Sequence, residues 1–207
     1  MIKAEVNITG TVRRSASIRT DRNNQPYVSF VMSVSLADGG GTRDIRVFVS
    51  VPQARQSDLS VYTEGQRITA SGTMDIRRKD DGLSFYLTAR LVTAENVPAL
   101  DAISGTLSFR GYLKKENIFD ERTSKNGRPY LLFSAYSSEK VGDNFVSTWV
   151  TFMRFPEKNA TVESIKPDWL RPRVHVDISG DLRISFYKEA PSLSCIVREM
   201  TEHINNS

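Results

Sequence analysis

The sequence predicts a mainly β protein made of two tandem copies of one five-stranded barrel, each with a short helix between its third and fourth strands. Three observations predict it. The first is an internal repeat: Arg19-Thr20-Asp21-Arg22-Asn23-Asn24-Gln25-Pro26-Tyr27-Val28-Ser29-Phe30 and Arg122-Thr123-Ser124-Lys125-Asn126-Gly127-Arg128-Pro129-Tyr130-Leu131-Leu132-Phe133 share R-T-x-[RK]-N-x-x-P-Y-x-x-F at a constant offset of 103 in a chain of 207 residues. The second is that further echoes follow in the same order. Ile68 to Ile76 is echoed by Val176 to Ile184, each a period-2 run around a shared Ser-Gly, and Leu83 to Leu87 is echoed by Leu193 to Val197 at an offset of 110. The third is the order of the elements themselves.

Taken along the chain, Val6 to Arg14 reads as a first strand interrupted by Gly10, which suits a bulge or a sharp bend. Pro26 opens the second strand, where Val28, Phe30, Met32 and Val34 alternate with Tyr27, Ser29, Val31 and Ser33, giving one apolar and one mixed face. Asp38-Gly39-Gly40-Gly41 is a turn and not a phosphate loop, because no Gly-Lys-[Ser/Thr] follows. Arg43 to Val51 is the third strand, and Pro52 opens a helix through Leu59. Residues 66–77 and 83–92 are the fourth and fifth strands. This β-β-β-α-β-β order is the pattern of an OB-fold barrel.

The second copy starts near Ile103-Ser104-Gly105 or at Gly111-Tyr112-Leu113. It continues through Tyr130–Tyr136, Phe145–Phe155, a helix from Pro156 to Ile165, Val174–Tyr187 and Leu193–Met200. The domains are therefore 1–97 and 103–207, with 98–102 as a short linker inside Glu95-Asn96-Val97-Pro98-Ala99-Leu100-Asp101, stiffened by its proline.

Composition bounds the function. The chain is 39% hydrophobic and 25% charged, an ordinary globular balance. The net charge is +4, with 13 Lys+Arg against 11 Asp+Glu in residues 1–102 and 15 against 13 in 103–207. That permits an anionic partner without demanding one. The one cysteine, Cys195, excludes an intramolecular disulfide and, as the echo of Phe85, is expected to be buried. No signal segment opens the chain and no run is apolar enough to span a membrane, so a soluble, cytoplasmic protein is expected.

Catalytic groups are poorly supplied. His175 and His203 have no metal-ligand or nucleophile spacing around them, and no pair of carboxylates stands out for acid/base work, so neither an enzyme, a metal nor a cofactor is expected. The stronger signal is aromatic. In the third strand of the second copy, Trp149, Thr151, Met153 and Phe155 share one face, and Val150, Phe152 and Arg154 the other. If Val150 and Phe152 enter the core, Trp149 and Phe155 look outward near Arg154 and the Lys125/Arg128 loop, which is what base stacking with phosphate neutralisation needs. The alternative is that this face packs against the other barrel or another subunit. Tyr187 sits beside Phe186 and Lys188, with either aromatic inward. Tyr27 and Tyr130 face away from the predicted core. Arg77, Arg78 and Lys79 form a basic hairpin tip suited to a phosphate backbone or simply to solvent.

The chain resembles the bacterial single-stranded DNA-binding protein family, in a tandem form. That family enters strand two through a segment like R-x-T-x-N-G, approximated by Arg122 to Gly127, and its third strand carries a Trp with a Phe six residues on, as in Trp149 and Phe155. A further Trp follows a Glu-Gly-x-Leu-Arg strand by seven residues, and Ser179-Gly180-Asp181-Leu182-Arg183 places Tyr187 there. The resemblance implies that Trp149, Phe155 and Tyr187 stack on bases, and that a two-domain chain forms a homodimer displaying four barrels.

The first copy departs from the pattern: Ile45 or Asp44 takes the Trp position, Val51 or Ser50 the Phe position, and Lys79 that of Tyr187. It keeps Phe48 and Tyr27 as stacking groups and leans on Arg19, Arg22, Arg46, Arg77, Arg78 and Lys79. The family's acidic C-terminal tip, which recruits partner proteins, has no counterpart in Thr201 to Ser207. The expected function is sequence-independent single-stranded DNA binding that protects the strand in replication, recombination or repair. A protein-interaction module, an RNA-binding protein and a polymerase-accessory or nuclease role are the rivals.

Overall fold

A computed structural model describes residues 1–52, 59–79 and 82–204. The described residues hold no α-helix; eleven strands carry the fold: β1 (Ile2–Thr20), β2 (Pro26–Asp38), β3 (Gly41–Pro52), β4 (Arg67–Lys79), β5 (Gly82–Thr93), β6 (Ala102–Leu113), β7 (Asp120–Thr123), β8 (Pro129–Val141), β9 (Asn144–Arg154), β10 (His175–Tyr187) and β11 (Ala190–Glu202). The chain divides into two compact units. The first-half unit comprises Lys3–Gly105 with Ser185–Pro191, and the second-half unit Met1–Ile2, Thr106–Ile184 and Ser192–Ser207.

In the first-half unit the strands pair in the order β2-β3-β5-β4-β1, and β1 also pairs with β2, so the ladder closes on itself. Closure is possible because β1 is long: Lys3 to Thr11 face β4, and Thr11 to Thr20 face β2. At the changeover stands Gly10, where a Cβ would come within 3.0 Å of the Ser33 carbonyl oxygen. Period-2 alternation then fills the interior with Val28, Phe30, Met32 and Val34 from β2, Ile45, Val47 and Val49 from β3, and Phe85 and Leu87 from β5, all buried. The segment before β6 is fastened to this unit. Arg67 donates to Asp101 (2.7 Å) and to the Pro98 carbonyl (2.8 Å), and the Ser35 amide donates to Asp101 (2.8 Å).

The second-half unit repeats the scheme. Its order is β6-β10-β11-β9-β8-β7, and β6 also pairs with β8. The register decides which glycine of the second copy matches Gly10. Thr11 lies opposite Ser33 and Tyr112 opposite Tyr136, so the match is Gly111, whose Cβ would crowd the Tyr136 carbonyl as Gly10's would crowd Ser33. The Ser-Gly echo is equally physical: Gly72 lies against the Thr88 carbonyl and Gly180 against the Ile196 carbonyl.

Two expectations change. The parallel ladders pair Val47 with Phe85 and Val150 with Leu193, so the counterpart of Phe85 is Leu193, and Cys195 matches Leu87. The sequence echo at offset 110 is thus slipped by two residues. A slip of two keeps every side chain on its face, which is why Cys195 is nonetheless buried, its thiol pushed up to about 12 by that burial. The helix expected from Pro156 to Ile165 is only a 3-10 turn at Glu163–Ile165, because Asn159, at φ 69°, leaves helical space. The helix expected from Pro52 to Leu59 falls largely on residues 53–58, which lie outside the described residues.

The two R-T-x-[RK]-N segments are hairpin turns. Thr20 pairs with Pro26 and Thr123 with Pro129. In each, the residue opening the turn takes a backbone amide onto its side chain: Gln25 N donates to Asp21 Oδ1 (2.8 Å) and Arg128 N to Ser124 Oγ (3.0 Å). Asn24 (φ 60°) and Gly127 (φ 74°) supply the left-handed residue each turn requires.

Replacing Gly180 by Ala drives a methyl group into a backbone carbonyl that cannot swing away, so Gly180→Ala should cost about 1–3 kcal/mol of unfolding free energy. Gly41→Ala, whose nearest neighbour is 3.9 Å away, should stay within about 0.5 kcal/mol of the parent in denaturant titration.

Candidate nucleic-acid interface

Alternation along β8 and β9 sends Phe133, Ala135, Val150 and Phe152 inward, and it therefore sends Tyr130, Tyr136, Trp149 and Phe155 outward. Trp149 is 48% exposed. The antiparallel register sets Tyr136 directly opposite Trp149, with ring centroids 4.9 Å apart. Tyr136 also lies opposite Tyr112 of β6 (6.0 Å), and Tyr112 opposite His175 of β10, whose ring it stacks on at 4.4 Å and 11°. His203, beyond β11, closes the series edge-on to His175 at 4.4 Å. Five aromatic rings from four strands and the segment after β11 thus follow one another across the outer surface. At the β8–β9 hairpin the same face continues into Phe145, 74% exposed and paired with Lys140.

A second aromatic group stands further along the same face. Tyr130 stacks on Phe155 (4.9 Å, 29°), and the Arg128 guanidinium lies 5.0 Å over the Phe155 ring while donating to the Pro156 carbonyl (2.6 Å). The neighbouring turn carries Lys125, exposed and without a partner among the described residues, and Arg122, 3.3 Å from Asp120. Tyr130 and Tyr136 are six residues apart, roughly 20 Å along a strand. The two groups therefore stand apart on this face, as two separate aromatic pairs.

Arg154 stands differently. It shares the inward side of β9 with Val150 and Phe152, donates to the Ile165 carbonyl (2.8 Å), and burial pulls its guanidinium below its ordinary pKa. It ties the segment after β9 to the strand. Tyr187 is grouped with the first-half unit, at the β10–β11 turn. There Phe186 lies under Arg43 (5.6 Å) while Tyr187 is 68% exposed beneath the Lys188 ammonium (5.5 Å), so the tyrosine is the outward member of the pair.

The first-half unit has polar groups where the second has its rings. By register Thr11, Ser33 and Arg46 occupy the places of Tyr112, Tyr136 and Trp149. Its outward aromatics are Phe48 on β3 and Tyr86 on β5, stacked at 5.3 Å and 21°, with Tyr27 and Arg19 nearby along one groove. Arg22, Arg46, Arg77, Arg78 and Lys79 are exposed.

Tyr112, Tyr136, His175, Phe145 and Tyr86 escaped the sequence reading. Tyr136 and Phe145 were within its reach, since they continue the outward sets begun by Tyr130 and Trp149. Tyr86 carried the same signal, being out of phase with Phe85 and Leu87. Tyr112 and His175 needed the pairing of β6 with both β8 and β10.

No protein-family model matches the chain, and no curated protein matches it. Among solved structures it is similar to the single-stranded DNA binding protein of Thermus aquaticus, at 13% identity over 99% of this chain and 94% of that one, with a TM-score of 0.47. It is also similar to the mitochondrial single-stranded DNA binding protein of S. cerevisiae (22%, 49% of this chain, 96% of that one, TM-score 0.37) and to the small single-stranded DNA-binding protein of Streptomyces coelicolor (16%, 45%, 90%, TM-score 0.35).

The histidine end of the aromatic series responds to pH. Burial, reinforced by the neighbouring His203, holds His175 below its ordinary value of 6.5. Burial by itself would raise Asp177, but hydrogen bonds from Arg110 (2.7 Å) and His203 (2.6 Å) together hold it low. Because the folded state takes up a proton at His175 less readily than the unfolded chain, its contribution is complete above 6.5 and declines as pH falls below it. The fall in melting temperature between about pH 7 and about pH 5.5 should be smaller in His175→Phe than in the parent, and an unchanged fall would remove His175 as its source.

Proposed function

We propose that this protein binds single-stranded DNA without sequence preference, through two tandem OB-type barrels (1–97 and 103–207, joined at 98–102), with the second supplying most of the base stacking. The observation that carries this reading is the outward run Trp149–Tyr136–Tyr112–His175, a set of ring faces spread over four strands instead of being folded away. Exposed rings cost solvation unless something covers them, and nucleobases cover them well: each stacked base contributes about 1–3 kcal/mol, and every base has a π face to offer. The closed five-stranded ladders with one strand pairing to two partners support the OB assignment.

In this mechanism a strand lies along the outer face of β8 and β9. Trp149 and Tyr136 take bases at one end, Phe155 and Tyr130 at the other, and Lys125, Arg122 and Arg128 meet phosphates beside the second pair. The protein coats the strand and makes or breaks no covalent bond. Its service to replication, recombination or repair is to keep single strands apart and protected.

Two measurements test the reading. In a Trp169→Phe background, oligo-dT should quench the remaining Trp149 fluorescence to saturation, whereas duplex of equal length leaves it unchanged. If about five phosphates are neutralised, affinity should drop roughly a hundredfold as salt rises from about 50 to about 200 mM. The double substitution Trp149→Ala, Phe155→Ala, followed by anisotropy of a labelled oligonucleotide, should weaken binding by about 2 kcal/mol or more while leaving the melting curve close to the parent's. Normal binding by that variant would sink the stacking assignment.

A further inference from the structure

We infer that the first-half unit carries its own nucleotide pocket, in which a nucleobase stacks against the Phe48–Tyr86 pair and its phosphates meet Arg19. This rests on the single-strand reading above and adds a site to it. The groove encloses about 770 Å³, within the roughly 300–1,000 Å³ typical of small-molecule sites, and Arg19, Gln25, Tyr27, Phe48, Ser50 and Tyr86 contribute to its lining. Its floor follows from strand pairing. Phe48 and Tyr86 lie opposite one another in the parallel β3–β5 ladder, both out of phase with the buried Val47, Val49, Phe85 and Leu87, so both rings stand on the outer surface. Phe48 keeps 39% of its surface open although it is already stacked on one neighbour.

The polar lining suits a nucleotide. The Gln25 amide and the Tyr27 and Ser29 hydroxyls supply donors and acceptors for a base edge, and the Ser50 hydroxyl, which donates to the Leu87 carbonyl (3.3 Å), offers an acceptor. Arg19 has no hydrogen-bond or ion-pair partner among the described residues, and neither have Arg13, Arg14 and Arg46, which line an adjoining hollow that shares Phe48. The acid on the wall, Asp21, has its Oδ1 engaged by the backbone amides of Asn23 and Gln25 (2.8 Å each). One unpaired guanidinium in the groove and three more in the hollow beside it favour a polyanion over the other ligand that aromatic grooves accept, a proline-rich peptide.

The pocket is no copy of the second-half face. The β9–β11 ladder has Thr151 opposite Ser194 where β3–β5 has Phe48 opposite Tyr86. Its lining is therefore particular to the first half, and the two halves hold a strand at different rows of their barrels.

The test uses the full chain and a short oligo-dT carrying one 5-iododeoxyuridine, cross-linked by light and mapped by mass spectrometry. Adducts on Tyr86 or Phe48, in addition to those in the second half, are expected. Tyr86→Ala should then weaken oligo-dT binding roughly five- to a hundredfold, and Tyr86→Phe, which keeps the ring, should bind like the parent. The cross-link needs no variant to fold, and melting curves check the variants. Adducts confined to the second half, with Tyr86→Ala binding normally while Trp149→Ala, Phe155→Ala is impaired, would overturn the pocket and leave the single-strand reading standing. Absence of oligonucleotide binding by the parent would sink both. A polyproline peptide that protects Tyr86 from modification where oligo-dT does not would also overturn the nucleotide assignment.

Discussion

One strand pairing with two partners is the constraint on which each unit is built. A β-strand has two hydrogen-bonding edges, and β6 satisfies β10 along much of its length and then β8 at its end. The changeover brings the β6 backbone so close to the Tyr136 carbonyl that only a residue without a Cβ fits, and Gly111 provides it. Closure has a consequence beyond stability. The residue after that glycine, Tyr112, is set against β8 and β10 at once, so its ring meets both Tyr136 and His175. The aromatic series of the second half is a product of the same bend that closes the ladder.

The first half keeps the bend and drops the rings. Gly10 plays the part of Gly111, yet the following residue is Thr11, and Ser33 and Arg46 complete a polar patch where the second half has its tyrosine and tryptophan. Such divergence costs the fold little. Inward positions are held to apolar residues by packing, as Val28/Leu131, Phe30/Phe133 and Val47/Val150 illustrate. Outward positions are free of that constraint. The outward aromatic pair Phe48 and Tyr86 of the first half accordingly has no counterpart at Thr151 and Ser194, while the inward residues of the two halves match.

Arginine is divided between two tasks in the same way. Arg67 and Arg154 spend their donors on carbonyls and, for Arg67, on Asp101, so they fasten segments to strands. Arg128 is intermediate, bound to the Pro156 carbonyl and stacked on Phe155. Arg13, Arg14, Arg19 and Arg46 have no such engagement among the described residues. Residue type and sequence position do not separate these roles, because Arg154 sits one residue from Phe155 yet on the opposite face of the strand.

The sequence by itself determined what depends on local periodicity and on self-similarity. The repeated segment was legible because R-T-x-[RK]-N-x-x-P-Y builds the same turn twice, and the inward and outward sets of β2, β8 and β9 were legible because side chains alternate strictly along a strand. Even the two-residue slip between Phe85 and Cys195 left burial correct, since the alternation cannot distinguish shifts of two. What only the tertiary structure decided was everything carried across strands. Gly111 was separated from Gly105 by which carbonyl each glycine approaches, the helix before Glu163 was lost to the left-handed Asn159, and Tyr112, His175 and Tyr86 joined the candidate surfaces through neighbours distant in sequence. Hydrogen-bond register places those neighbours together, and no pattern confined to a single strand contains it.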